Sequence, residues 1–194
     1  MTSLDSIGNA AQPPAKSPFT LVEGRAKGYQ PAAVDVFLRR AKASFESDDG
    51  QLDAATVRQA SFPLVRHGYR IEEVDAALAR VEDAFAQRER ANVVASRGAG
   101  AWVERARGEA QLILDHLARG SRRRFARTSV LSFGYCVDEV DHVAERIVHY
   151  LRDGQTITAD QIRRTAFRMQ RRGYREEQVD ALLDATIDVL LAVR

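Results

Sequence analysis

Apolar residues recur at helical spacing in four separate stretches of the chain. In the first three stretches they follow offsets 0, +3, +4, +7 and +11, which places them on one face of a helix. The fourth stretch keeps this stripe with Thr186 at +7. The four stripes begin at Val34, Val74, Val140 and Val179. Since none of the stretches shows the period-two alternation of a strand, the pattern predicts an all-α fold.

A short motif precedes each stripe: Gly-Tyr, four variable residues and Val-Asp. It reads GYQPAAVD at 28–35, GYRIEEVD at 68–75, GYCVDEVD at 134–141 and GYREEQVD at 173–180. One match at a given start is a roughly 10⁻⁵ event at average residue usage. Four matches therefore indicate internal duplication. The motif residues are Gly28, Tyr29, Val34, Asp35, Gly68, Tyr69, Val74, Asp75, Gly134, Tyr135, Val140, Asp141, Gly173, Tyr174, Val179 and Asp180.

Each motif position has a structural interpretation. The Gly lies just before a helix start, where positive φ would let the chain turn sharply. The Tyr ring can pack under that turn and keep its hydroxyl in water. The Val begins the buried stripe. The Asp lies near the helix N-terminus, where negative charge is favoured by roughly 0.3–1 kcal/mol, and it can accept hydrogen bonds from the preceding turn.

The four units form two pairs. The second and fourth units share a leading helix, DAATVRQASFPLVRHGY against TADQIRRTAFRMQRRGY, with Asp53 and Thr158 as the predicted N-caps. The first and third share a Phe nine residues before the Gly, at Phe19 and Phe125. The chain is therefore interpreted as A-B followed by A′-B′, two duplicated pairs of helical turn-helix repeats. The predicted parts are a disordered tail (1–18), a first pair (19–90), a linker (91–124) and a second pair (125–194).

The linker is expected to contain an amphipathic helix and a basic cluster. Trp102, Ala106, Ile113 and Leu117 fall on one side of that helix. The stretch RGSRRRFAR follows and carries no acidic residue. It is the chain's only dense basic patch.

The composition of the chain limits the classes of function that we expect. The net charge of this 194-residue chain is only +2, so its overall electrostatic field does not predict binding to nucleic acid or to a membrane. The single cysteine, Cys136, excludes an intrachain disulfide and favours a cytoplasmic location, and no signal peptide or transmembrane helix is expected. The four histidines have no ligand spacing and are expected on the surface. We therefore expect no enzyme activity, metal, cofactor or small-molecule substrate.

The stretch VRQASFPLVRHGYRIEEVDAALARVEDAF resembles the N-terminal domain of the bacterial DivIVA family. That domain reads roughly Val-Arg, a Phe, Gly-Tyr, four residues, Val-Asp or Val-Asn, then Phe-Leu, which the first unit keeps as Phe37-Leu38. The resemblance covers most of 19–194 in four pieces. It implies a helical, self-associating, non-enzymatic scaffold of cell division and polar growth, located at the inner membrane face of poles or septum. Its partners would be copies of itself or other division proteins.

The family dimerises through a parallel coiled coil and touches the membrane with an apolar-basic pair just before the Gly-Tyr. Here no heptad repeat is sustained, and among the four pre-Gly positions Phe133 alone offers an apolar wedge. The predicted anion or lipid contacts are Arg122, Arg123, Arg124, Arg127, Phe133, Arg171 and Arg172. The alternative is a basic helical protein that binds nucleic acid through these arginines. Acidic residues at the start of each B-unit helix, such as Glu72-Glu73, would repel phosphate. Nucleic-acid binding is therefore the less favoured alternative.

The missing coiled coil suggests that A pairs with B inside one chain. In this hypothesis the face of Phe37, Leu38 and Phe45 meets the face formed by Leu78, Val81 and Phe85. Tethering raises the effective concentration to roughly millimolar, so a weak contact closes without a second chain.

Overall fold

The computed structural model describes residues 18–47 and 50–193 of the chain. Residues 1–17, which make up almost all of the expected tail, lie outside the described residues. The described part is predominantly helical, as the apolar stripes predict. Its elements, in chain order, are β1 (Lys27–Tyr29), α1 (Pro31–Ser47), α2 (Ala54–Arg58), β2 (Leu64–Arg66), α3 (Ile71–Arg97), α4 (Ala99–Leu117), β3 (Phe133–Tyr135), α5 (Val137–Asp153), α6 (Ala159–Arg163), β4 (Met169–Arg171) and α7 (Glu176–Ala192).

Several helices begin where the local sequence predicts. α1 begins at Pro31, whose fixed φ suits the first helical position. Asp53 caps α2 by accepting a hydrogen bond from the backbone N–H of Thr56 at 2.7 Å. Thr158 caps α6 in a capping box with Gln161. Both predicted N-caps are therefore confirmed.

The all-α prediction is wrong in one respect, because the Gly-Tyr segments contribute to two small antiparallel sheets. β1 pairs with β2 so that Lys27 faces Arg66, and β3 pairs with β4 so that Phe133 faces Arg171. Each of these strands has three residues, which is too short to show alternation in a sequence. The strands form because segments distant in the sequence pair with each other.

Each half has an apolar core built on the predicted stripes. Val34 and Val74 are fully buried in the first core, and the rings of Phe45 and Phe85 pack edge-on with their centroids 5.2 Å apart. The faces of α1 and α3 therefore contact each other, as hypothesised for the first pair. The second core is built in the same way around Val140 and Val179, together with residues of α4 and α5.

α4 connects the halves and packs against both. α3 continues through residue 90, where the first pair was expected to end, as far as Arg97. The chain turns at Gly98, whose φ is 84°. α4 then runs back along α3 and buries Ile113 and Leu117 in the second core. The stretch predicted to form an amphipathic helix is therefore helical, and it packs against both halves.

α3 and α7 lie side by side and point the same way. Near their N-terminal ends Asp75 and Asp180 line one groove, and further along Ala86 and Leu191 line one smaller cavity. β2 precedes α3 in the chain, and β4 precedes α7. The two sheets therefore lie toward the same end of the molecule.

Candidate functional site

In the first half, the two Gly-Tyr segments cross each other at their glycines. A Cβ atom on Gly28 would lie 2.1 Å from the carbonyl oxygen of Tyr69. A Cβ atom on Gly68 would lie 2.3 Å from the carbonyl oxygen of Gly28. Backbone hydrogen bonds in both directions between Tyr29 and Tyr69, at 3.0 and 2.8 Å, hold the crossing together.

The second half repeats this crossing. A Cβ atom on Gly173 would lie 2.4 Å from the carbonyl carbon and oxygen of Gly134. The expectation that the motif glycines supply positive φ is wrong, because none of the four has a positive φ. Before Gly68 and Gly173 the positive φ falls one residue earlier, at His67 (54°) and Arg172 (55°). The motif needs glycine because two backbones pass too close for any side chain.

The Tyr and Asp of the motif meet across each pair. In the second half, the hydroxyl of Tyr174 lies 3.2 and 3.4 Å from the carboxylate oxygens of Asp141, and Tyr135 donates to Asp180 at 3.4 Å. Tyr174 belongs to the second unit of the pair and Asp141 to the first, whereas Tyr135 and Asp180 are arranged the other way round. Each unit therefore binds the other with the same two residue types.

The first half shows the same exchange. Tyr69 donates to both carboxylate oxygens of Asp35 at 3.2 Å, and Tyr29 interacts with Asp75. Tyr69 is 4% exposed and Tyr174 is 0% exposed. The expectation that the hydroxyl stays in water is therefore wrong for these two tyrosines.

Burial and the paired carboxylates both resist ionisation of the tyrosines. Burial, with the charge of Asp180 as a second cause, raises the pKa of Tyr135 to about 12. Burial, with the charge of Asp141 as a second cause, raises the pKa of Tyr174 to about 12. The hydroxyls therefore remain neutral donors across the physiological range.

Each sheet carries a loop at its outer end. We call residues 23–27, 66 and 67 the first tip, and residues 129–133, 171 and 172 the second tip. Counted back from the motif Gly, Arg25 of the first tip corresponds to Leu131 of the second, and Lys27 corresponds to Phe133. Equivalent loops are thus charged in one half and apolar in the other.

The second tip exposes apolar side chains beside arginines. Val130, Leu131 and Phe133 are 63%, 88% and 54% exposed. The guanidinium of Arg171 lies 5.7 Å from the centre of the Phe133 ring, and Arg172 is exposed. The sequence predicts Phe133 and both arginines as contacts but misses Val130 and Leu131, although the apolar run VLSF was visible before the Gly-Tyr.

Arg124 is not a surface contact, contrary to the prediction. It is 8% exposed, and its Nη1 atom lies 3.1 Å from a carboxylate oxygen of Asp141. It also donates to the carbonyl oxygen of Leu117 at 3.3 Å. The charge of Arg124 is therefore balanced inside the second half, because a buried guanidinium needs a carboxylate and carbonyl partners.

The other predicted arginines of this loop remain at the surface. Arg122 forms an ion pair with Asp138 at 2.9 Å. Arg127 donates to the carbonyl oxygens of Arg122 and Arg172, each at 3.3 Å. Arg123 is exposed. The basic cluster is therefore partly neutralised within the fold.

A buried carboxylate joins the two halves. Glu82 of α3 is 2% exposed, and one of its oxygens lies 2.8 Å from the Nε of Arg58 in the first half. Its other oxygen lies 2.8 Å from Arg163 in the second half. Arg58 and Arg163 occupy matching positions on α2 and α6. We call Arg58, Glu82 and Arg163 the arginine clamp.

Further ion pairs cross between the halves around the clamp. Arg58 reaches Asp188 and Asp184 of α7, the latter at 3.5 Å. Arg163 reaches Asp83 of α3 at 2.8 Å. Asp83 and Asp188 are both nine residues beyond their motif Val, so the two pairs match each other. Burial raises the pKa of Glu82, and the two arginines oppose that rise.

Within residues 18–47 and 50–193, no three side chains of His, Cys, Asp or Glu are arranged to hold a metal ion. Cys136 is partly buried. His116 corrects the expectation of surface histidines, because its ring packs against Phe125 at 5.0 Å and burial lowers its pKa.

Among the described helices, none is both long and apolar enough to cross a bilayer. Comparison with protein-family models, with curated proteins and with solved structures finds no match for this chain.

Proposed function

We propose that this protein is a non-enzymatic scaffold that contacts an anionic membrane surface through its second tip. The observation that carries the proposal is the exposure of Val130, Leu131 and Phe133 beside Arg171 and Arg172. Apolar side chains that enter the lipid interface, flanked by cations that meet anionic headgroups, are what peripheral binding requires.

The arrangement of the two halves supports this proposal. Both sheets lie toward the same end of the molecule, so one flat surface can meet both tips. The first tip would contribute cations through Arg25, Lys27 and Arg66, each worth about 1 kcal/mol near an anionic surface. The second tip would insert its apolar side chains into the lipid interface.

We further propose that the chain is two duplicated repeat pairs, A-B and A′-B′. The common order of strand, helix, short helix, strand and helix in each half supports this interpretation. The matched Gly-Gly crossings and Tyr-Asp exchanges support it as well. Each pair closes within one chain, which leaves the tips free for a surface.

Vesicle flotation tests the membrane contact. We expect the full-length protein to float with vesicles of phosphatidylglycerol and phosphatidylcholine. Leu131→Glu should weaken binding by about 2 kcal/mol, roughly 30-fold, because an exposed leucine no longer enters the interface.

Arg25→Glu is the matched control at the equivalent position of the first tip. It changes the charge by two units, whereas Leu131→Glu changes it by one. If binding were purely electrostatic, Arg25→Glu would be the more damaging change. That result would refute insertion by the second tip.

The scaffold role has its own experiment in the native host. A fluorescent fusion should form foci at poles or septa, as the resemblance to the DivIVA family implies. Diffuse fluorescence would contradict a role in division or polar growth.

Nucleic-acid binding is the alternative that this experiment also detects, as fluorescence on the nucleoid. The fold gives it less support, because two arginines in the basic stretch of the fourth unit pair with acidic side chains. Arg163 belongs to the clamp, and Arg168 pairs with Glu139.

A further inference from the structure

A groove lies between the two halves of the molecule, bounded by α3, α6 and α7. Its volume is about 810 Å³, and the arginine clamp forms part of its wall. Ala76 and Ala79 of α3 and Leu183 of α7 give it an apolar lining. The stretch of α3 from Glu72 to Asp83 is about 18 Å long at the rise of an α-helix. That length fits about three turns of a further helix.

Carboxylates dominate the charge of this groove. Seven carboxylates and four guanidinium groups line it. Two of the guanidinium groups, those of Arg58 and Arg163, already bind acids in and around the clamp. Glu72, Asp75 and Asp180 are exposed at the rim. The groove therefore carries an excess of negative charge on a partly apolar surface.

The same motif position has a different role in the two units of a pair. Asp141 is 4% exposed and accepts hydrogen bonds from Tyr174 and from the backbone N–H of Arg122. Its counterparts Asp75 and Asp180 are exposed and line the groove. Asp141 is enclosed in the fold, whereas Asp75 and Asp180 each interact with one tyrosine and also line the groove.

The environment of these two carboxylates opposes their charge. Desolvation is the main cause that raises the pKa of Asp75, and the charge of Glu72 adds to it. Desolvation also raises the pKa of Asp180, with contributions from Asp184 and other nearby acids. A bound cationic group would relieve this repulsion.

We propose that the groove between α3 and α7 is a docking site for a basic amphipathic helix of a partner protein. The apolar face of that helix contacts Ala76, Ala79 and Leu183, and its Lys or Arg side chains face Asp75 and Asp180. Residues 1–17 of this chain contain one Lys, one Asp and no Arg, so they lack the surplus of positive charge that the groove selects. The occupant is therefore a separate protein.

Fluorescence anisotropy with the full-length protein tests the site. The probe is a labelled peptide of about 12 residues, made of Leu, Ala and Lys, with Leu at helical spacing. Asp75→Asn combined with Asp180→Asn removes two charges and keeps an acceptor for each tyrosine. We expect saturable binding that this pair weakens about tenfold. The matched control, Glu104→Gln with Asp115→Asn on α4, should change binding less than about twofold.

Ala76→Trp is a second variant that leaves every charge in place. Ala76 is exposed in the groove, so the bulky side chain should abolish peptide binding without disturbing the core. Unchanged affinity in this variant would overturn the proposal.

Two further results would also overturn it. Equal binding of a peptide with the same composition in a scrambled order would show that charge alone is responsible. Light scattering could instead reveal an oligomer that the Asp75 and Asp180 variant dissociates, in which case the groove is an interface between copies of this chain. Neither result depends on vesicle binding by the second tip.

Discussion

Replacement of Gly173 by alanine should separate the strands of the second half. The new Cβ would lie 2.4 Å from the carbonyl group of Gly134 and 2.6 Å from the carbonyl oxygen of Tyr135. An ordinary contact begins at 3.4 Å, so the two backbones must move apart by about 1 Å. The backbone hydrogen bonds between Tyr135 and Tyr174, at 3.0 and 2.9 Å, would then be lost.

The cost follows from the groups left without partners. Each lost hydrogen bond costs about 1 kcal/mol, and a buried polar group without a partner costs about 1–3 kcal/mol. Tyr174 is fully buried, and its hydroxyl bond to Asp141 depends on the same crossing. We therefore expect Gly173→Ala to lower the free energy of unfolding by about 3–5 kcal/mol.

Urea denaturation followed by far-ultraviolet circular dichroism measures this change. Gly108→Ala is the matched control, because Gly108 lies within α4 and its added Cβ would meet nothing within 4 Å beyond the local backbone of the helix. That control should stabilise the protein by up to about 1 kcal/mol through helix propensity. A loss below about 1 kcal/mol for Gly173→Ala would refute the close-approach argument. Gly173→Asn should destabilise the protein as well, because asparagine tolerates positive φ but would clash as alanine does.

Three other changes test the packing. Glu82→Gln should lower the free energy of unfolding by about 3–5 kcal/mol in the same urea assay, because it leaves Arg58 and Arg163 without their buried carboxylate. A change near zero would contradict a structural role for the clamp. Neutral Tyr174 should contribute stability that is complete below its unfolded pKa of 10.0 and lost as the pH rises toward 12. Asp141→Asn should lower that pKa in a spectrophotometric titration, because it removes a neighbouring negative charge, and an unchanged titration would argue against the contact. Phe37→Asp with Leu78→Asp should unfold the first half within a monomer, as circular dichroism and light scattering can show, whereas simple dissociation of a folded dimer would place the contact between chains.

The helical part of the fold could be predicted because its causes are local. Helix propensity, capping and the spacing of apolar residues act over a few positions in the chain. Pro31, Asp53 and Thr158 begin or cap helices as their residue types indicate. The buried stripe that starts at each motif Val is likewise a property of one helix.

The candidate site was predicted only in part. Phe133 and Arg171 were identified because they lie within the two residues before a motif Gly. Leu131 was missed, since no local rule says which side of a loop will face water. Arg124 was misassigned because a basic run in a sequence does not reveal which cation will find a buried acid.

The sequence alone determines three features: the repeat, the apolar helical face of each unit and the capped helix starts. The tertiary structure decided what the motif is for. Position 28 requires glycine because another backbone crosses it. Tyr69 fits its position because its hydroxyl donates a hydrogen bond to Asp35 of the other unit. The clamp around Glu82 likewise joins groups that are far apart in the chain. Local energies select helices and turns, but the meeting of distant segments depends on how the whole chain excludes water and pairs its buried polar groups.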